Sequence, residues 1–198
     1  MSKVLLTLAH PNPNSLNAAI ADAVESGLKA KGHEVRRNDI YQKDFDPVLG
    51  MADFQAWEQG SVPPEVKREQ DDIAWADGLA FVFPIWWHEQ PAKLKGWIDR
   101  TLTKGFAWDF TETGRAGLLS AKKAFVAVTY GSPVPVYQEL DIDRDVIKQP
   151  MVKGTLNFCG ITDVHYVEEF GVLMQDRSAN EAYVERVGKA AMSFFGEA

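Results

Sequence analysis

Two hydrophobic periods alternate along this chain, and that alternation limits its fold more than any other feature. Val4-Leu5-Leu6-Thr7-Leu8-Ala9 is a short β-favouring run without polar alternation, the pattern of a strand covered on both faces of a parallel sheet. After a Pro/Asn-rich loop, Leu16, Ile20, Val24 and Leu28 recur every four residues, which places them on one face of a helix ending near Gly32. Residues 34–38 follow as a second, shorter strand toward the sheet edge, completing a βαβ unit. The same reading gives a third strand over 79–83, stopped by Pro84, a fourth over 124–129 and a fifth over 162–167. Helices are expected over 65–76, from Pro91 with Leu94, Ile98, Thr101 and Leu102 on one face, and over 147–158. A last helix is expected behind a capping box at Ser178-Ala179-Asn180-Glu181, with Tyr183, Val187, Ala191 and Phe194 facing inward.

Five strands separated by helices predict an α/β fold, a doubly wound five-stranded parallel sheet with helices on both faces, because parallel strands need long, right-handed crossovers. Tyr41 to Pro64 loses both periods among turn residues such as Asp46-Pro47 and Pro63-Pro64. It reads as a long excursion with one short helix, and excursions of that length inside a compact domain are usually functional. No repeat or linker divides residues 1–198, which read as one domain.

Composition removes several classes of function. The 21 Lys+Arg against 28 Asp+Glu leave a formal charge of −7, and the basic residues are scattered, so no nucleic-acid surface is expected. The longest largely apolar run, Leu79 to Trp87, is less than half of the ~20 residues that span a bilayer. Val4 to Ala9 is too brief for a secretory signal, so the chain reads as cytoplasmic and not inserted in a membrane. The single cysteine, Cys159, cannot close an internal disulfide, and His10, His33, His88 and His165 lack metal-ligand spacing, so no metal is expected.

In an open parallel sheet, ligands bind beyond the carboxyl ends of the strands, which singles out three loops. His10-Pro11-Asn12-Pro13-Asn14-Ser15-Leu16-Asn17 runs from a strand into a helix, where free N–H groups, a hydroxyl and an amide suit a phosphate. Ser15 serves equally as a plain helix cap. Pro84-Ile85-Trp86-Trp87-His88-Glu89-Gln90 follows the central strand. Two adjacent residues of an extended chain face opposite ways, so at least one tryptophan is expected in the crevice, where it would suit a flat aromatic group. The alternative is that both rings are buried against helices or a partner subunit. In the third loop, Tyr130-Gly131-Ser132, the glycine allows close backbone approach to a ligand, although turn geometry alone also accounts for it.

Taken together, these residues carry a specific resemblance. His10-x4-Ser15-x-Asn17, Phe83-Pro84-Ile85-Trp86-Trp87, Pro91-Ala92-x-Leu94-Lys95-Gly96-Trp97-Ile98-Asp99-Arg100, Gly105-Phe106-Ala107-Trp108 and Asn157-Phe158-Cys159-Gly160 resemble the flavodoxin-like NAD(P)H:quinone reductase family, from about residue 3 to 195. The resemblance implies a flavin, FAD with FMN as the alternative, a reduced nicotinamide, NADPH or NADH, a small quinone-like acceptor and a homodimer. It places the flavin phosphates at His10, Ser15, Leu16 and Asn17, with Gln70 near the pyrophosphate. Pro84, Ile85, Trp86, Trp87 and His88 would cradle the isoalloxazine, and Tyr130, Gly131 and Ser132 would lie on its pyrimidine side. The family's catalytic tyrosine falls at Tyr137, while its histidine partner falls at Asp143, so the usual relay is not intact here. Ping-pong two-electron reduction of quinones, extending to azo or nitro compounds, is the leading expectation. The alternatives are a flavin-carrying regulatory subunit of a potassium-efflux system and a flavodoxin-type electron carrier.

Overall fold

The computed structural model describes residues 1–196. A five-stranded parallel sheet carries β1 (Lys3–Leu8), β2 (Glu34–Asp39), β3 (Gly78–Ile85), β6 (Lys123–Tyr130) and β7 (Asp163–Phe170), in the spatial order β2-β1-β3-β6-β7. The order reverses direction between β1 and β3, which makes the crevice above those two strands the switch point of the fold. The connecting helices are α1 (Leu16–Ala30), α2 (Met51–Glu58), α3 (Pro64–Trp75), α4 (Ala92–Thr101), α5 (Val134–Glu139), α6 (Arg144–Gln149) and α7 (Arg177–Phe195), with a π-helix over Pro150–Asn157.

Alternation along each central strand divides the core in two. Val4, Leu6 and Leu8 of β1, Ala80 and Val82 of β3, and Phe125 and Ala127 of β6 pack with Ile20, Val24 and Leu28 of α1 and Tyr183, Val187 and Ala191 of α7. Leu5, Leu79, Phe81, Phe83, Val126 and Val128 face the other way, onto Val66 and Ile73 of α3 and Leu94 and Trp97 of α4. Both faces of the sheet are covered, which is why the strands read as continuous apolar runs.

The third strand does not stop at Pro84. It runs on to Ile85, pairing Pro84 with Thr129 and Ile85 with Tyr130 of β6. On its other side, pairing with β1 ends at Leu8 and Val82, where Ala9 N–H donates to Val82 O. Residue 84 points the same way as residue 82, past the end of β1, so the N–H that proline lacks had no partner to lose.

Three further elements differ from expectation. The last helix is capped by Asp176, whose carboxylate accepts from Ala179 N–H at 2.8 Å, so the Ser178 capping box is not used. The helix expected over 147–158 begins at Arg144 and loosens into the π-helix after Pro150, a residue that cannot donate to the α-helical ladder. A hairpin, β4 (Trp108–Thr111) with β5 (Gly114–Gly117), was not foreseen, because two four-residue strands give too little alternation to register.

The excursion over 41–64 contains α2, as expected, and Arg100 fixes it in place. The guanidinium is 4% exposed and donates to Asp53 Oδ1 at 2.8 Å, Asp46 O at 2.7 Å and Glu65 Oε1 at 2.7 Å. Such charge-assisted bonds to a rigid fork hold a chain without secondary structure of its own. Beside it, a Cβ on Gly96 would lie 1.9 Å from Pro47 O, so only glycine lets the excursion touch α4. Glu69 is a second buried node, accepting from Trp97 Nε1 and Asn38 Nδ2 at 2.8 Å each and from Lys43 Nζ at 2.7 Å.

Candidate functional site

Above the carboxyl ends of β1, β3 and β6 lies a cleft of about 550 Å³. Its floor begins at the start of α1. Ser15 caps this helix, its Oγ accepting from Ala18 N–H at 3.1 Å. The N–H groups of Leu16 and Asn17 belong to the first turn, which has no intrahelical acceptors for them. With the helix dipole they favour an anion at this end of the cleft. Asn17 is buried, and its Nδ2 donates to Thr129 Oγ1 at 3.0 Å, tying the helix start to the end of β6.

The opposite wall is a tight turn. Trp86 N–H donates to Glu89 O at 3.0 Å and Glu89 N–H to Trp86 O at 3.1 Å, closing a two-residue turn around Trp87 and His88. Both central residues have positive φ, 53° and 67°. That is type I′ geometry, which normally selects Asn-Gly. Holding a tryptophan and a histidine there costs of order 1–3 kcal/mol each, strain that persists mainly at functional sites. The turn also revises the expectation for the two tryptophans: the chain is not extended here, and Trp86, Trp87 and His88 all line the cleft. Trp87 is 95% exposed and Trp86 40%, so neither ring is part of the core.

Tyr137 closes the third side. It sits on α5, only 7% exposed, with its ring edge-on to His88, Tyr130 and Phe170 at centroid distances of 5.7, 5.7 and 5.5 Å. Burial pushes its hydroxyl above the ordinary phenol value, so it stays protonated through neutral pH. Gly131 lets Leu173 approach, since a Cβ there would lie 3.1 Å from Leu173 Cδ1.

The structure thus brings His10, Ser15, Leu16, Asn17, Pro84, Ile85, Trp86, Trp87, His88, Gly131, Ser132 and Tyr137 to one cleft. It does not bring Gln70 or the side chain of Tyr130 there. Gln70 is buried beneath a separate, larger cleft lined by Trp57, Phe106 and Trp108, and its amide donates to Thr101 O at 2.9 Å and Thr103 Oγ1 at 3.0 Å, holding the end of α4. The Tyr130 ring is stacked on Phe170 at 4.1 Å and fully buried, so only its backbone borders the site. Asp143 does not line the cleft either; its carboxylate caps α6 by accepting from Asp145 N–H at 2.9 Å. Thr129, Val136, Leu140, Val172 and Leu173 line the cleft without having been singled out. The last two follow β7, and the loop after the fifth strand is open to the same carboxyl-end rule that picked out the other three.

Among the described residues, no Lys, Arg, Asp or Glu lines the cleft, and no cluster of His, Cys, Asp and Glu could hold a metal. Backbone N–H donors at one end, aromatic rings along one wall and no carboxylate to repel an anion together fit a flat aromatic group bearing a phosphate. The fold and this cleft define an α/β protein whose switch-point crevice has the shape and lining for such a group.

A family model described as the flavodoxin-like fold matches residues 2–191, and the chain belongs to that family. It is similar to an uncharacterised NAD(P)H oxidoreductase of Haemophilus influenzae, with 36% identity over 184 residues, covering 91% of this chain and 90% of that one. It is also similar to NAD(P)H dehydrogenase (quinone) 1 of Cavia porcellus, with 34% identity over 179 residues; the match covers 81% of this chain and 65% of the guinea-pig protein's length. Among solved structures, the NAD(P)H:quinone oxidoreductase of Methanothermobacter marburgensis superposes with a TM-score of 0.87 at 28% identity, covering 100% of this chain and 98% of that one.

Proposed function

We propose that this protein is a flavin-dependent NAD(P)H oxidoreductase that reduces quinones by two electrons in a ping-pong cycle, with azo and nitro compounds as further acceptors. The observation that carries the reading is the strained Trp86–Glu89 turn, which sets two exposed rings and a histidine against a carboxylate-free cleft that begins at a helix N-terminus. The names of the Haemophilus, guinea-pig and Methanothermobacter relatives agree with it.

The residues divide the work by their chemistry. Ser15 Oγ and the first-turn N–H groups of Leu16 and Asn17, with His10 beside them, hold phosphate oxygens. Pro84, Ile85 and the turn over 86–88 form the planar wall, and the backbone of Tyr130, Gly131 and Ser132 supplies donors opposite it. Bound in this cleft, a flavin would take hydride from NADPH or NADH and give it to the acceptor. Tyr137 presents a protonated hydroxyl that can donate to an oxygen gaining negative charge, and its burial keeps that proton from being lost to water. The apolar residues around the mouth, Val136, Leu140, Val172 and Leu173, exclude water and favour a flat, weakly polar acceptor over a charged one.

The flavin in this reading is FAD rather than FMN, because the resemblance associates a long excursion such as the one Arg100 anchors here with the FAD-binding members of the family. Residues 1–198 act as one domain, and the protein works as a cytoplasmic homodimer. Among the described residues no helix is long and apolar enough to cross a membrane. The exposed Trp86, Trp87, Leu140 and Leu173 at the cleft mouth are the surface a second subunit would cover.

Steady-state oxidation of NADPH or NADH by flavin-loaded protein, with menadione as acceptor, tests the reading. Turnover is expected, and its absence refutes the proposal. Chromatography of acid-released flavin decides FAD against FMN, and sedimentation decides the dimer.

A further inference from the structure

The proposed reaction, NAD(P)H + H⁺ + quinone → NAD(P)⁺ + hydroquinone, consumes one proton for each hydride delivered. A side-chain acid in the cleft would deliver that proton faster than water does, most effectively if its pKa lies near the working pH. Among the described residues lining the cleft, the groups that can exchange a proton there are His10, His88 and Tyr137. Tyr137 is held in its protonated form by burial, so it can donate a hydrogen bond but is slow to be the source. His10 lies at the phosphate end, where Nδ1 is 3.1 Å from Asn12 N and 3.2 Å from Asn12 O, so that nitrogen has a partner within its own loop whichever form the ring takes. Its ring is edge-on to Trp86 at 5.7 Å.

His88 differs on every count. Its imidazole is exposed at the cleft mouth, with access to water for reprotonation. It stands edge-on to the Tyr137 ring at 5.7 Å and 80°. Its backbone adopts φ of 67°, where asparagine or glycine would be more relaxed, so local folding alone does not select a histidine at this position. The charged or titratable neighbours are few: Glu89 follows it in the same turn, Tyr137 faces it from α5, and His10 faces Trp86 from the loop after β1. Asp143 is occupied in capping α6 and takes no part.

We propose that His88 is the proton donor of the cleft, with Tyr137 orienting its ring. As the acceptor gains a hydride, the electron pair that develops on its carbonyl oxygen takes the proton from the His88 imidazolium. One O–H bond forms, one imidazole N–H bond breaks, and the neutral ring recovers its proton from water. The inference rests on the quinone-reductase reading above.

The decisive variant is His88→Asn, which suits the type I′ turn and so preserves the fold. In anaerobic stopped flow at pH 7, wild-type flavin should be bleached by NAD(P)H and reoxidised by menadione. In His88→Asn reoxidation by menadione should slow by about 10–100-fold, a larger loss than any change in the rate of bleaching. Reoxidation by ferricyanide, which accepts electrons without a proton, should fall less than threefold. A readout independent of turnover is the His88 imidazole resonance in the oxidised protein, which should shift when menadione is added and move in Tyr137→Phe, where the edge-on ring contact is altered. Equal menadione rates in the two proteins, equal losses with menadione and ferricyanide, or a resonance indifferent to menadione would each overturn the role of His88. Wild type that NAD(P)H cannot bleach overturns the function itself, and the inference with it.

Discussion

Replacing Gly96 by alanine sets two physical rules against each other. Gly96 lies inside α4, where alanine is favoured over glycine by about 1 kcal/mol, so helix propensity alone predicts a more stable protein. The added Cβ, however, would lie 1.9 Å from Pro47 O and 2.6 Å from its carbonyl carbon. The excursion would have to retreat by about 1 Å or more to restore ordinary contact. That retreat pulls on Asp46, whose carbonyl accepts from Arg100 Nη1 at 2.7 Å, and stretches the bond beyond useful length. Overpacking costs about 1–3 kcal/mol and a lost bond to a buried charge about 1.5–3, so after the helix gain the net loss is about 2–5 kcal/mol. For a chain of 198 residues each kcal/mol moves Tm by roughly 2–4 °C, which gives a fall of about 4–20 °C in thermal unfolding followed by circular dichroism. Gly154→Ala is the control, because a Cβ there meets nothing closer than Gln149 O at 3.9 Å. A Gly96→Ala protein as stable as wild type, with Gly154→Ala unchanged, would refute the close-approach argument.

Other outcomes are equally direct. Burial is the largest single influence on Glu65 and opposes its charge, but the hydrogen bond from Arg100, a backbone hydrogen bond and the charge of Arg100 together outweigh it and hold its pKa below the ordinary 4.5. A carboxyl whose pKa falls on folding contributes stability above its unfolded pKa and loses it as pH drops through the folded value. Denaturant midpoints should therefore fall more steeply for wild type than for Glu65→Gln as pH is lowered from 5 to 3, and parallel curves would show that the pair is not coupled to folding. Tyr137→Phe should slow quinone turnover by about tenfold or more, whereas Asp143→Asn should change it less than twofold, since asparagine caps a helix as well as aspartate does. Steady-state kinetics with menadione checks both, and a large loss in Asp143→Asn would return that residue to the site. Cys159 is buried and its thiol is pushed up to about 11 by burial, so it should react with a disulfide reagent at least a hundredfold more slowly in the native protein than in denaturant.

The sheet was legible because each buried strand is a short apolar run, and the residues between strands change to helical spacing at Leu16, Glu65, Pro91 and Tyr183. What escaped was decided by tertiary context. Pro84 looked like a strand terminator, and it is not one because β1 has already ended on the side its missing N–H would face. Ser178 looked like a cap, yet Asp176 stands two residues earlier and starts the helix first, its carboxylate accepting from Ala179 N–H. Gln70 carried the right motif and still lies away from the cleft, because Thr101 and Thr103 offer its amide better partners than open solvent.

The site itself was legible wherever position alone decides, as at Ser15 and Asn17, which any helix start after a parallel strand would bring to the same place. At Trp87-His88 the resemblance placed both residues at the site, but the backbone geometry that puts them there was not legible. A type I′ turn is recognised in sequence by glycine or asparagine, and neither is present, so local preference pointed to an extended chain with its side chains on opposite faces. The hydrogen bonds between Trp86 and Glu89 override that preference and set Trp87 and His88 at the rim of the cleft. A sequence reading based on average preferences is bound to miss a segment that departs from them. The strain of that departure, set beside the ordinary geometry of the first loop, separates the two halves of the cleft. One half is a helix N-terminus that the fold supplies, and the other is a turn held out of its preferred conformation beside it.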